Sequence, residues 1–233
     1  MINSKQRNKV FVVIAAYNEE KSIAKVVESL FDKGYKNIVV VNDGSKDKTY
    51  SIINKLNVYA LHHPINRGQG AALKTGIDFA HIQGAEYIVT FDADGQHNPD
   101  DIDTMLHTIS KTKVDICLGS RFLRKNDIKN VPISKRILLK GSALVVFFYS
   151  GILLSDAHNG LRLMNRKVAQ KIELGDGFEH ASDFITEIRK YKLKYVEVPV
   201  TILYTDYSMQ KGQSIFNSFK ILFRMTVRKI LDL

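Results

Sequence analysis

Short apolar runs alternate with longer amphipathic stretches from the beginning of the chain as far as Leu118. The runs cover residues 10–15, 37–41 and 59–62, a stretch from Tyr87, and 115–118, and the segments between them predict helices over 22–33, 48–56, 71–81 and 99–112. Strand and helix in regular succession bury both faces of a sheet when the helices cross over between parallel strands. The pattern therefore predicts an open, mostly parallel α/β sheet. Ligands of such sheets sit beyond the carboxyl ends of the strands. Each predicted strand does run out in polar residues: Tyr17-Asn18-Glu19, Asn42-Asp43-Gly44-Ser45, Asn66-Arg67-Gly68, Asp92-Ala93-Asp94 and Gly119-Ser120-Arg121.

The strand Tyr87-Ile88-Val89-Thr90-Phe91 discharges into Asp92-Ala93-Asp94-Gly95-Gln96-His97. Two carboxylates two residues apart on an extended chain project the same way and can share one cation. Hard oxygen ligands in that number suit Mg²⁺ or Mn²⁺, which keep positions open for water and substrate phosphate. The competing reading is an acidic turn capping a helix that starts near Pro99. Gly68-Gln69-Gly70-Ala71-Ala72-Leu73-Lys74 places small residues ahead of a helix N-terminus, as a phosphate site requires. It matches neither standard fingerprint: the dinucleotide pattern needs glycine at Leu73, and no Gly-Lys-Ser/Thr follows. It reads equally as a tight strand-to-helix turn, and Asn42-Asp43-Gly44-Ser45 reads equally as a turn whose side chains accept backbone N–H bonds.

With 233 residues, 45% hydrophobic and 25% charged, the chain is long for one domain and short for two, which suggests one domain with a C-terminal extension. A net charge of +10 admits nucleic acid, an anionic membrane or phosphate-rich substrates. No recognition helix, zinc spacing or aromatic sheet motif supports nucleic acid. Cys117, the single cysteine, lies in an apolar run, so it is expected in the core of a protein from a reducing compartment. The first apolar run leads into Tyr17 without a secretory cleavage pattern. A second, over 137–154, is interrupted by Lys140, Gly141, Ser142 and Gly151 and falls short of the about 20 apolar residues of a membrane span. It is expected to be a buried or membrane-grazing helix. Near the C-terminus, Phe216, Phe219, Phe223 and Ile230 share a stretch with Lys220, Arg224 and Arg228. A basic amphipathic helix of this kind lies in a membrane interface or docks on protein. The protein is therefore expected to be peripheral to a membrane at most.

Taken together, Ala16-Tyr17-Asn18-Glu19, Asn42-Asp43-Gly44-Ser45, Asn66-Arg67-Gly68-Gln69-Gly70, Asp92-Ala93-Asp94-Gly95-Gln96-His97 and Gly119-Ser120-Arg121 resemble the family-two inverting glycosyltransferases, most closely the dolichol and polyprenol phosphate hexose synthases. The resemblance implies a Rossmann-like nucleotide-sugar fold of the GT-A type over 1–214, followed by the amphipathic helix 215–233. It implies that Ala16, Tyr17, Glu19 and Asp43 hold base and ribose, that Asp92, Asp94 and Gln96 surround a metal on the diphosphate, and that Gly70, Lys74 and Arg121 lie near phosphate groups. Asp156-Ala157-His158-Asn159-Gly160-Leu161-Arg162 resembles the family's Asp-x-x-x-Gly-x-Arg segment on the acceptor side, its plainer reading being a loop with a structural Arg162. Asp183, in a helix running to Tyr191, matches the family's acceptor-side carboxylate, with His180 as its neighbour. Lys135 and Arg136 match a region that meets the acceptor phosphate, and Glu197 begins a closing strand in which it orients backbone. The loop 207–214 departs from the pattern, with Met209 in place of an Arg and Ile215 in place of a Lys, so that Lys211 becomes the substitute cation.

The activity so implied is metal-dependent, inverting transfer of a hexose from GDP- or UDP-hexose to a polyprenyl phosphate, at an anionic membrane surface and with a small membrane subunit as a candidate anchor. Transfer to a glycan hydroxyl and a non-catalytic scaffold are the alternatives. A sugar-phosphate nucleotidyltransferase would carry a Gly-rich, Arg-bearing loop after its first strand, which Ala16-Tyr17-Asn18-Glu19 is not.

Overall fold

The computed structural model describes residues 2–124, 133–176 and 180–203; Lys211 and the expected helix 215–233 lie outside them. Seven strands form one sheet: β1 (Val10–Ala16), β2 (Asn37–Asp43), β3 (Tyr59–His63), β4 (Tyr87–Asp92), β5 (Ile116–Ser120), β6 (Arg162–Asn165) and β7 (Tyr195–Pro199). Their order is β3-β2-β1-β4-β6-β5-β7. Pairing is parallel except around β6, which runs antiparallel to both β4 and β5. The β-branched runs of β1, β2 and β4 are buried on both faces, as strands covered on both sides must be.

One face is covered by α2 (Ile23–Asp32) and α5 (Asp100–Thr112). In α2 the buried residues Ile23, Val26, Val27 and Leu30 fall at the spacing of one helical stripe. The other face takes α4 (Gln69–Ile82), α6 (Ile133–Ser150), α7 (Arg166–Lys171) and α8 (His180–Lys190). A short α1 (Ser4–Arg7) precedes β1, and α3 (Thr49–Ile53) is shorter than the helix expected over 48–56. Gly76 lets α4 lie close on the sheet, since a Cβ there would stand 2.3 Å from Val13 Cγ1.

The stretch expected to graze a membrane is α6. It buries Ala143, Val146 and Ser150 while Leu144 and Phe148 are 51% and 72% exposed. Among the described residues no helix is long and apolar enough to cross a membrane. Cys117 is buried as expected, with its thiol directed at the Met105 carbonyl.

The chain order turns back between β1 and β4, the central strands. In open sheets of this kind the ligand crevice lies there, beyond the carboxyl ends of the strands. Because β6 runs the other way, its leading end lies at that same edge and carries the loop 156–161 to the tip of β4.

Candidate active site

Asp92 closes β4, but Asp94 does not continue the strand as the extended-chain reading required. A turn follows, with Gly95 at φ 77° and the Gln96 N–H donating to Asp94 Oδ1 at 3.0 Å. The two carboxylates are nonetheless near enough for each to act on the other's charge. Burial first, and then the charge of Asp92, push Asp94 up to about 6, with Glu19 adding to the repulsion. The capping alternative fails, because the first turn of α5 is served by Asn98, whose Oδ1 accepts from the Asp100 N–H.

Asp92 is held from both sides. Its Oδ1 accepts from Gln69 Nε2 at 3.1 Å and its Oδ2 lies 2.9 Å from His97 Nε2. Behind it stands Gly160, where a Cβ would be 2.3 Å from Asp92 Oδ2; the Gly160 carbonyl is fixed by the Thr90 hydroxyl at 2.7 Å. Gln69 and His97 stood in quoted motifs without an assigned role. Gly160 is the glycine of the Asp-x-x-x-Gly-x-Arg segment, likewise without an assigned role.

At the ends of β1 and β2 the two loops are zipped together. The Asn18 N–H donates to Ser45 Oγ, the Glu19 N–H to Thr49 Oγ1, and the Lys46 N–H to Asn18 Oδ1. Asn18 has φ 54°, a conformation asparagine tolerates better than most residues. Ala16 and Glu19 are buried, and Tyr17 is half-buried beside them. Asp43, also buried, accepts from the backbone N–H groups of Arg67 at 3.0 Å and Gly68 at 2.8 Å and pairs with His63 Nδ1 at 2.7 Å. The plainer reading of Asp43 is therefore present in the fold: its carboxylate ties down the loop that leads into α4. Gly68, at φ 98°, makes the turn there, and Gly70 is buried in the first turn of α4. Lys74 pairs with Asp78 on its own helix, at 2.7 Å to each oxygen.

Arg121, at the end of β5, donates from Nε to Asp156 Oδ2 at 2.5 Å. Asp156 is positioned in turn by Glu197, which accepts from the backbone N–H groups of Ser155 and Asp156 and from the Ser155 hydroxyl. Glu197 thus orients backbone, as expected. Arg162 lies inside the sheet beside Thr90 and Leu118, 2% exposed, with its guanidinium 4.5 Å over the Phe184 ring. Burial lowers it to about 10 even though Asp92 and Asp156 pull the other way. Asp183, next to Phe184, accepts from the Gly175 N–H at 3.0 Å. Lys135, Arg136 and His180 sit in the first turns of α6 and α8.

Asp92, Asp94, Glu19, Gln69, His97 and the loop 156–161 therefore share the crevice, with Asp43 anchoring its floor. The residues fit a divalent cation: two hard carboxylates are crowded into a partly buried site, where their repulsion is what a cation would relieve. Among the described residues no third His, Cys, Asp or Glu completes a cluster.

The fold and the sequence both have relatives. A structure of glucosyl-3-phosphoglycerate synthase from Mycobacterium tuberculosis in complex with Mn²⁺ and uridine-diphosphate-glucose superposes with a TM-score of 0.71 at 14% identity, covering 100% of this chain and 83% of that one. The chain is 35% identical over 241 residues to the UDP-N-acetylglucosamine–dolichyl-phosphate N-acetylglucosaminyltransferase of Methanococcus voltae, covering 95% of this chain and 96% of that one. It is 27% identical over 214 residues to the polyprenol monophosphomannose synthase of Mycolicibacterium smegmatis, covering 87% of this chain and 80% of that one. Residues 11–173 match the model of Glycosyl transferase family 2, a span that takes in β1, β2, β4 and the loop backing Asp92, and the chain belongs to that family.

Proposed function

We propose that this chain transfers a hexose, with inversion, from a GDP- or UDP-sugar to a polyprenyl phosphate at the cytoplasmic face of a membrane. The observation that carries the reading is the Asp92–Asp94 pair, forced together at the point where the strand order reverses. Asp92 and Asp94, with Gln96 beside them, would hold Mg²⁺ or Mn²⁺. When bound, the ion supplies Lewis-acid stabilisation of the charge that develops on the departing nucleoside diphosphate. The remaining positions around a cation of this kind suit water and diphosphate oxygens rather than further side chains.

The zipped loops after β1 and β2 give Ala16, Tyr17 and Glu19 a fixed wall for base and ribose, and Asp43 holds the floor of that wall in place. A lipid phosphate oxygen is already ionised near neutral pH and attacks the anomeric carbon without a strong base. An α-linked donor then yields a β-linked product. Asp183, Lys135, Arg136 and Lys211 are assigned to the acceptor side. Arg121, locked on Asp156, is assigned to the phosphate groups between donor and acceptor. Arg162 keeps its charge beneath them, inside the sheet. Exposed Leu144 and Phe148 on α6, together with the basic stretch 215–233, are assigned to the anionic membrane surface, where a small membrane subunit would add anchorage.

Incubation of the full chain with radiolabelled UDP- and GDP-sugars, Mn²⁺ and polyprenyl phosphate tests the proposal. Label that partitions into organic solvent, on a β-linked lipid phosphate, is the expected result. Label that moves only onto a soluble glycan rejects the acceptor, and no transfer from any donor rejects the activity.

A further inference from the structure

Each oxygen of the Asp92 carboxylate has a donor from the protein. Gln69 Nε2 donates to Oδ1 at 3.1 Å from one side, and His97 Nε2 approaches Oδ2 at 2.9 Å from the other. An ionised carboxylate only accepts, so Nε2 is the protonated nitrogen of His97. Among the described residues its buried Nδ1 has no hydrogen-bond partner.

Neither donor is loosely placed. The His97 ring packs edge-on against Phe91 at 5.3 Å between centroids, and its backbone pairs with Ile202. Gln69 is the first residue of α4, directly after the two N–H groups that Asp43 accepts, and Asp43 is itself braced by His63, whose Nε2 lies 3.0 Å from Thr75 Oγ1. On the third side, Gly160 leaves no room for the carboxylate to rotate backwards. Asp92 is thereby held in one orientation, with its side chain 29% exposed.

We infer that Gln69 and His97 are positioning residues that pre-orient Asp92 for a divalent cation, so that the loop anchored by Asp43 and the turn after β4 jointly set metal affinity. The inference rests on the proposed metal-dependent reaction. It adds two side chains that touch neither metal nor substrate, and it gives Gln69, rather than the glycines around it, as the reason the loop 68–70 approaches the site. Carboxylates that ligate metals are commonly held by hydrogen bonds of this sort, and loss of one typically costs about 10- to 100-fold in metal affinity.

The test is Mn²⁺ titration of the full chain, followed by calorimetry and by the Mn²⁺ electron paramagnetic resonance signal, in the presence of saturating UDP and, separately, GDP. Gln69→Met keeps length without a donor, His97→Phe keeps the ring on Phe91 without a donor, and His97→Gln restores an amide N–H. Asp92→Asn is the control. Gln69→Met and His97→Phe are expected to weaken Mn²⁺ by about tenfold, with the double variant little worse than either single one, since a freed carboxylate is freed once. His97→Gln should recover most of the loss. Transfer by both single variants should return to near the wild-type kcat at high Mn²⁺, which a general folding defect would not allow.

Mn²⁺ binding within twofold of wild type in Gln69→Met and in whichever His97 variant folds, while Asp92→Asn loses it, overturns the positioning role and leaves the proposed function standing. Undiminished Mn²⁺ binding by Asp92→Asn overturns both.

Discussion

Asp94 is the residue at which function and stability conflict most directly. Its carboxyl titrates near 6 in the folded chain against an ordinary value of 3.8, because burial and Asp92 disfavour its charge. Between those two values the unfolded state is the one that releases its proton, so metal-free stability falls as pH rises from about 4 to 6 and stays reduced above. Asp94→Asn should therefore stabilise the metal-free chain in EDTA at pH 7.5, by at most about 3 kcal/mol, while giving no gain at pH 3.5. The same substitution should abolish transfer. Thermal melts at the two pH values and a label-transfer assay check both halves, and an Asp94→Asn chain that melts lower than wild type at pH 7.5 would contradict the crowding argument. The conflict is an ordinary one for a binding site, where groups are held together for a ligand rather than for the fold.

At the scale of single elements, two glycines mark contacts that larger residues would spoil. In an exposed helix Gly→Ala gains up to about 1 kcal/mol. Gly76 on α4, however, faces Val13 Cγ1 at 2.3 Å, so overpacking decides the sign. Gly76→Ala is expected to lower stability by about 1–2 kcal/mol, read from urea unfolding, with little change in substrate affinity. Gly160 precedes β6 and backs Asp92, and an added methyl there displaces the carboxylate. Gly160→Ala should cut transfer about a hundredfold, as a misplacement near 1 Å does elsewhere, while the melting temperature moves much less. The contrast between the two variants separates the packing of a helix on the sheet from the alignment of a site.

For the molecule as a whole, Cys117 offers a probe of global opening. It lies in β5 at the centre of the core, and burial pushes its thiol up to about 12. A thiol-specific reagent at pH 8 should label it only as fast as the domain unfolds, and the rate should rise in urea with the slope of global unfolding. Fast labelling in native buffer would mean that the β5 region opens on its own.

The alternation of strand and helix, the carboxyl-end placement of the polar motifs, the buried cysteine and the family were all legible in the order of residues, because hydrophobic periodicity and turn chemistry are local. Strands β1 to β5 fell within two residues of their expected limits. What the order of residues left unplaced was β6, the four-residue strand that follows the helix-to-strand loop 156–161, and its antiparallel direction. Two expectations changed character on folding for the same reason. Lys74 turned to Asp78, and Arg162 was drawn inside the sheet, since each found its neighbours through packing rather than through spacing. The sequence by itself determined that two acids would stand at the end of a central strand. Only the tertiary structure decided that Gln69, twenty-three positions upstream, and Gly160 would close around the first of them, because side chains that meet across a crossover leave no periodic trace along the chain.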